Sequence, residues 1–262
     1  MTEAAILDAI AAELEQAQRI LFITGAGISA DSGLPTYRGI GGLYEEDLTA
    51  EGFSIEEALS GAMLQQHPEI TWKYLFQIEQ TCRGARPNRA HQVIAELEKR
   101  GAAVTVFTQN IDGLHRDAGS ADVIEIHGRL HHLHCTRCHY ETEVTSFAGM
   151  TMPPSCPRCF SLVRPRVVLF GESLPEAEME QLIDTLEAGP DMVFSIGTSS
   201  LFPYVAEPVL WANSQGIPTV EINPGQTPVS PFVDYRIQDG AAATLEALWK
   251  RIGAGPYGKN ST

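Results

Sequence analysis

Four cysteines stand in two Cys-x-x-Cys pairs, Cys135 with Cys138 and Cys156 with Cys159, separated by 17 residues. Each short turn can present two sulfurs to one metal, and paired knuckles at this spacing suit a tetrahedral zinc ion. With thiolate in every position no place is left for water, so the zinc expected here is structural rather than catalytic. His131, His132, His134 and His139 lie close by. Imidazole also binds zinc, but these four read as solvated residues around a small module. The fifth cysteine, Cys82, reads as a buried or partly buried thiol with no role.

A second set of polar residues follows apolar runs. "VFTQNIDGLHRDAG" at residues 106–119 places Gln109, Asn110 and Asp112 just past a strand. Amide and carboxylate side chains there suit ribose hydroxyls or a carboxamide. "DVIEIHG" brings His127 to the same edge, where an imidazole titrating near neutrality could act as a general base. Taken alone, a His–Gly pair reads first as a turn. "GTSSLF" from Gly197 and "EINPGQT" from Glu221 add Thr198, Ser199 and Asn223 as donors to phosphate or ribose. "GAGISADSGLPTYRG" begins at Gly25, directly after "RILFIT". There Gly25 and Gly27 suit a tight turn with close approach to a pyrophosphate, Ala30 suits helix packing, and the next helix start offers N–H groups to phosphate. A dinucleotide fingerprint also wants an acid ending a second strand about 20 positions on. Glu45 and Glu46 have that distance but no strand around them, which disfavours a hydride-transfer enzyme.

These residues need a scaffold that delivers strand ends to one edge. "RILFIT", "AVTVFT", "DVIEIH", "DMVFSIG" and "PTVEIN" are near-continuous apolar runs, the pattern of parallel strands buried on both faces. Residues 3–18, "RAHQVIAELEKRG" and "AAATLEALWKRIG" read as amphipathic helices. The fold class expected is α/β: a Rossmann-like doubly wound parallel sheet with a smaller inserted zinc-binding and helical module. The sheet domain takes residues 1–38, 87–130 and 165–254. The helical insertion 39–86 and the zinc module 131–164 form the small domain, and 255–262 is a disordered tail. The net charge of −15 disfavours binding along a nucleic-acid backbone and fits a small ligand or a basic protein substrate. No signal peptide or membrane-length apolar run stands out, so a cytoplasmic location is expected.

"GAGISADSGLPTYRG", "TQNIDGLHRDAG", "IHG", "RPRVVLFGE" and "GTS", in that order, resemble the sirtuin family of NAD-dependent protein-lysine deacylases. The resemblance runs from about residue 20 to 245, nearly the whole chain. It implies that Gly25, Ala26, Gly27, Ala30, Tyr37 and Arg38 line an NAD pocket, the last two on a loop that closes over it. Gln109 would hold the nicotinamide ribose and Ile111 and Asp112 the carboxamide, with Asn110 also in the cofactor site. Gly197, Thr198, Ser199, Asn223 and Ala241 would hold phosphate and the adenosine end. NAD would be consumed: the acyl-lysine oxygen attacks the nicotinamide ribose, nicotinamide leaves, and His127 takes a proton from the ribose hydroxyls. The products implied are free lysine, nicotinamide and 2′-O-acyl-ADP-ribose. A structural zinc on the four cysteines is implied as well.

The same resemblance makes Val168 to Glu172, with Phe170 and Gly171, a strand that pairs with substrate peptide. Two departures stand out. Many sirtuins read Val-x-Pro-Ala where this chain has Phe202-Pro203-Tyr204-Val205, which either packs or reshapes peptide binding. The stretch after "LPTYRG" resembles the branch that includes succinyl- and malonyl-lysine deacylases, which grip the acyl carboxylate with a Tyr and an Arg. Aligning on "TWKYLFQIEQ" puts Leu75 and Ile78 in those places, and an unpaired carboxylate buried against them would be costly. Neutral acyl groups are therefore expected, acetyl first, with longer apolar chains as the extension. A mono-ADP-ribosyltransferase or NAD hydrolase using the same pocket is the alternative. Acyl-lysine proteins are the partners expected, with no nucleic acid or membrane, and a monomer is the default.

Overall fold

Among the described residues there are nine strands, five of them from the apolar runs: β1 (Arg19–Thr24), β2 (Ala103–Thr108), β3 (Asp122–Glu125), β4 (Gly128–Cys135), β5 (Glu141–Glu143), β6 (Val163–Val167), β7 (Met192–Ile196), β8 (Thr219–Ile222) and β9 (Tyr235–Ile237). The computed structural model describes residues 2–36 and 48–253. Tyr37, Arg38, Glu45, Glu46 and the 255–262 tail lie outside the described residues.

Six strands pair in parallel in the order β3-β2-β1-β7-β8-β9. The order reverses between β1 and β7, and ligand crevices of open α/β sheets lie at that reversal, beyond the carboxyl ends of the strands. Every residue of β7 and β8 is buried, as is all of β1 after Arg19. On one face Leu7, Ile10 and Leu14 of α1 (Glu3–Gln16), Val93 and Ile94 of α5 (Arg89–Lys99), and Leu245 and Leu248 of α9 (Ala241–Arg251) cover the sheet. On the other, Leu182 of α7 (Glu176–Glu187) and Val205 and Val209 of α8 (Pro203–Ser214) do so. Phe22 stacks on Phe194 across the β1–β7 seam with centroids 4.8 Å apart.

The remaining strands form a three-stranded antiparallel sheet, β5-β4-β6. With α2 (Ile55–Ala58), α3 (Gly61–Gln66) and α4 (Pro68–Cys82) it encloses a separate core around Trp72, Leu75, Leu133 and Phe147. The buried Trp72 indole donates to the Val163 carbonyl at 3.1 Å, so burying its N–H leaves no donor unpaired.

Two sequence expectations are corrected. The strand expected at Val168 to Glu172 lies at Val163–Val167 instead. Pro165 sits inside it, and β6 can carry a proline because it is an edge strand. Beyond it Phe170 makes a lone bridge to Ser60, and Gly171 turns the chain at φ 79°. His131, His132 and His134 are strand residues of β4, half-buried rather than solvated.

β3 runs almost directly into β4, and His127 sits at the junction. Gly128 makes the junction possible: its φ is +80°, and a β-carbon there would lie 1.9 Å from the Arg166 carbonyl oxygen. Gly216 also has positive φ, 71°, but open space around it. Gly216→Ala is therefore expected to cost about 1 kcal/mol from backbone strain alone, and Gly128→Ala at least about 2 kcal/mol more, since β6 must move. Urea unfolding of the two variants checks this. Equal losses would show that the junction relaxes around a methyl group.

Candidate active site

The two βα turns at the sheet's reversal are in backbone contact. Gly25 N–H donates to the Ile196 carbonyl at 3.1 Å and Gly27 N–H to the Gly197 carbonyl at 2.8 Å. A β-carbon on Gly27 would lie 2.6 Å from Gly197 Cα, and one on Gly197, at φ +60°, would lie 2.4 Å from Ile28 N. These glycines are thus required by the crossing of two chain segments, and the N–H of Gly27, in the turn expected to offer donors to phosphate, is used within the protein. The helix expected after them is a short 3-10 turn over Ala26–Ser32. Its Asp31 accepts from Ala242 N–H at 3.2 Å, which brings the buried Ala241 at the start of α9 beside the turn.

Ser29, on that turn, collects the polar residues beyond β2. Its hydroxyl donates to Asp112 Oδ2 at 2.7 Å and accepts from Asn110 Nδ2 at 3.2 Å. Asn110 Nδ2 also donates to the Gly25 carbonyl at 3.1 Å. His91 Nδ1 accepts from Asn88 N–H at 3.3 Å, so the neutral ring carries its proton on Nε2, 3.5 Å from Ser29 Oγ. Asp112 Oδ1 accepts from Leu114 N–H at 3.0 Å. Burial pushes the Asp112 carboxyl upward against these hydrogen bonds. Behind this layer His115 bonds Thr24 Oγ1 at 3.0 Å and meets the His91 ring edge-on at 4.8 Å. Burial pulls His91 down to about 4 and His115 well below its ordinary value, so both imidazoles are neutral at neutral pH.

Gln109 N–H donates to the Thr24 carbonyl at 3.0 Å, and its side-chain amide donates to Thr198 Oγ1 at 2.7 Å. Asn223 Nδ2 holds the Thr198 carbonyl at 2.8 Å. Ser199 is exposed beside the buried Thr198, Ala30 is exposed and Ala26 half-buried. Ile111 packs against the small module's core, and its carbonyl accepts from Leu130 N–H at 3.3 Å.

His127 Nδ1 lies 2.9 Å from the Gln109 carbonyl. A carbonyl only accepts, so Nδ1 carries the proton and Nε2 holds the lone pair. That lone pair accepts from the Tyr204 hydroxyl at 2.8 Å. Burial lowers the pKa of His127, and the Gln109 carbonyl partly opposes it.

Val168 N–H donates to the His127 carbonyl at 3.0 Å, joining the expected substrate segment to the expected base. Phe170 exchanges backbone hydrogen bonds with Leu59 and Gly61, so the helical insertion already covers one of its edges. The Glu172 carboxylate turns inward to Arg164, at 2.9 Å to Nη2, and to Leu169 N–H, also at 2.9 Å. Leu75 and Ile78 are 2% and 8% exposed, in the small module's core with Ile111 against the same cluster.

The four zinc-type cysteines converge, all sulfurs lying within 4.8 Å of one another. Cys135 to Cys159 is 3.5 Å and Cys138 to Cys156 is 3.6 Å. Sulfurs at ~2.3 Å from a tetrahedral zinc would stand about 3.8 Å apart, so the set fits the ion. Arg137 and Cys138 N–H groups point at Cys135 Sγ and Arg158 N–H at Cys156 Sγ, each at 3.4 Å, which favours thiolates there. Cys82 stands apart, its thiol pushed up to about 12 by burial and the Asp112 and Glu79 carboxylates.

Sequence reasoning missed Ser29, His91, His115 and Thr24. All four lie inside quoted stretches, but their polarity gave no sign that they share one network. It noted Tyr204 without assigning it a role.

Polar side chains gathered at the reversal of a parallel sheet, with an inserted four-cysteine module, define a nucleotide-type α/β fold with a histidine at its edge. The profile of the Sir2 family matches residues 25–202, and the chain belongs to that family. NAD-dependent protein deacylase 2 of Pseudomonas aeruginosa is 48% identical over 246 residues, covering 93% of this chain and 96% of the relative. A mutant Sir2 homologue solved with 2′-O-acetyl ADP-ribose superposes with a TM-score of 0.84 at 34% identity, covering 96% of each chain. A Sir2 mutant solved with deacetylated p53 peptide and 3′-O-acetyl ADP-ribose gives 0.83 at 28% identity, covering 93% of this chain and 97% of that one.

Proposed function

We propose that this protein is an NAD-dependent protein-lysine deacylase with His127 as its general base. The observation that carries the reading is the His127 ring, fixed as one tautomer by the Gln109 carbonyl with its Nε2 lone pair at the carboxyl edge of the sheet. NAD, a co-substrate, supplies the electrophilic ribose carbon and the hydroxyl that accepts the acyl group. The donor set fits it: Asp112 and the Ile111 backbone offer acceptors and a donor to a carboxamide, and Ser29 keeps Asp112 aimed. Gln109 exchanges its bond to Thr198 for a ribose hydroxyl. Gly197, Thr198, Ser199 and Asn223 face the phosphates, and Ala241 the adenosine end. Gly25, Ala26, Gly27 and Ala30 form the wall above. Val168, Phe170, Gly171 and Glu172 receive peptide backbone. The cysteines hold a structural zinc.

Separate cores in the two sheets support a nucleotide-binding part and a small part; the expected bounds (1–38, 87–130 and 165–254 against 39–86 and 131–164) cut through β4 and β6, whose Leu130 and Val167 lie in the small core. Among the described residues no helix is long and apolar enough to cross a membrane. The reading takes the protein as a cytoplasmic monomer acting on acyl-lysine proteins, its acidity disfavouring nucleic acid.

The acyl group is neutral. Leu75 and Ile78 offer no charge, and Arg83 is engaged by the buried Glu79 carboxylate, with Nε at 3.1 Å from Oε1. Matched acetyl- and succinyl-lysine peptides with NAD, followed by mass spectrometry, test both readings. We expect free lysine peptide and acyl-ADP-ribose from the acetyl substrate, at least about tenfold faster than from the succinyl one, as expected when a carboxylate loses water and finds no partner. Faster succinyl turnover would overturn the pocket reading. ADP-ribose without deacylated peptide would replace deacylation by NAD hydrolysis or transfer.

A further inference from the structure

Phe202-Pro203-Tyr204-Val205 is the place where this chain departs from the Val-x-Pro-Ala pattern, and the proposed chemistry leaves it without a role. Tyr204 lies in the first turn of α8, 77 residues from His127 in sequence, yet its hydroxyl sits 2.8 Å from His127 Nε2. Phe202 stacks on it with ring centroids 5.5 Å apart and planes 15° apart. Phe202 and its neighbour Leu201 are 46% and 66% exposed, so the stack reaches from the base to the surface.

The geometry of an imidazole makes this contact consequential. With Nδ1–H committed to the Gln109 carbonyl, the ring has a single in-plane lone pair, on Nε2. The Tyr204 O–H and a ribose O–H cannot both donate to it in line. We propose that Tyr204 is a gate on the base: in the ligand-free protein its hydroxyl occupies the His127 Nε2 lone pair, and the ribose hydroxyl must displace it before its proton can be transferred. This rests on the deacylase reading with His127 as base.

The transfer balances without Tyr204 taking part. The ribose O–H bond breaks and an Nε2–H bond forms. The electron pair stays on the ribose oxygen, which goes on to the acyl carbon, and the Nδ1–H stays hydrogen-bonded to the Gln109 carbonyl. Tyr204 keeps its own proton throughout, since burial pushes its phenol up to about 12. The His127 ring is faced by the Gln109 carbonyl from the end of β2 and by Tyr204 from α8, while Val168 contacts its backbone. Among the described residues no carboxylate or cation contributes to its titration.

The test compares wild type with Tyr204→Phe, which keeps the ring and its stack and removes the hydroxyl. Two readouts are used: the imidazole nitrogen NMR of His127 in the ligand-free protein, and deacylation of an acetyl-lysine peptide referred to nicotinamide exchange. Exchange reports the step before His127 acts. A hydroxyl donating to the lone pair favours the neutral ring, so its loss should raise the His127 pKa by roughly half to one unit, the size of one hydrogen bond. Deacylation relative to exchange should rise by roughly two- to fivefold, because one competing hydrogen bond is gone. A fall of tenfold or more in that ratio would make Tyr204 a proton relay and overturn the gate. An unmoved His127 pKa and an unchanged ratio, or a parallel loss of both reactions, would also overturn it. The reading beneath is checked separately: wild type that shows neither exchange nor deacylation fails as a deacylase, whatever the NMR reports.

Discussion

His127→Ala is expected to lower acetyl-lysine deacylation by about 10²–10⁴-fold, the usual worth of a positioned general base. Nicotinamide exchange should fall far less, because nicotinamide departs before the proton is taken. Only Nε2 can receive that proton, since Nδ1–H is held by Gln109 at 2.9 Å. The pH profile carries a second part of the expectation. A base must be neutral to work, and burial shifts His127 below its ordinary 6.5. The base form therefore survives to lower pH than a solvated imidazole would allow, and the acid limb of kcat/KM should lie below pH 6.5. An acid limb at or above that value would mean that the ring is better solvated, or faces more negative charge, than the structure shows. Deacylation by His127→Ala within tenfold of wild type would remove the histidine from the mechanism.

Cys156→Ala is expected to have the largest effect on stability. Cys135 and Cys156 belong to the same buried cluster as Trp72, Leu133 and Phe147. The metal would therefore hold together the core that packs α4 against the small sheet. A structural zinc in a module this small contributes folding free energy directly, and apo forms of such modules unfold. We expect the thermal midpoint to fall by roughly 6–20 °C for a loss of roughly 3–5 kcal/mol, and about one zinc per chain to be lost from the purified protein by elemental analysis. Strong chelation of the wild-type protein should give the same melt. Full thermal stability without zinc would show that hydrophobic packing alone carries the module.

Five of the six parallel strands could be read almost residue for residue. Burial on both faces turns β1, β7 and β8 into apolar runs that need no partner to be recognised. The cysteine module was legible for a different reason: four thiols in two knuckles have one economical use. β6 was misplaced because "VRPRV" alternates charge and carries a proline, and only its place at the edge of a three-stranded sheet lets that sequence be a strand. β9, three residues long and flanked by polar loop, carries no periodic signal. The glycines of "GAGIS" stood out in the sequence, but their close approach to the backbone of Gly197 did not.

What the sequence by itself determined was everything set by local chemistry: the strand runs, the knuckles, the polar residues that follow each strand and the histidine after "VIEI". These depend on periodicity and turn preference within a few residues. What only the tertiary structure decided was which of them meet. Ser29 reaches Asp112 and Asn110 because β1 and β2 are adjacent and in register. Tyr204 reaches His127 because α8 returns from β7 over the face where β3 ends. Such contacts are fixed by strand order and crossover, and the energy that selects them is spread through the whole core rather than written in either residue's neighbours.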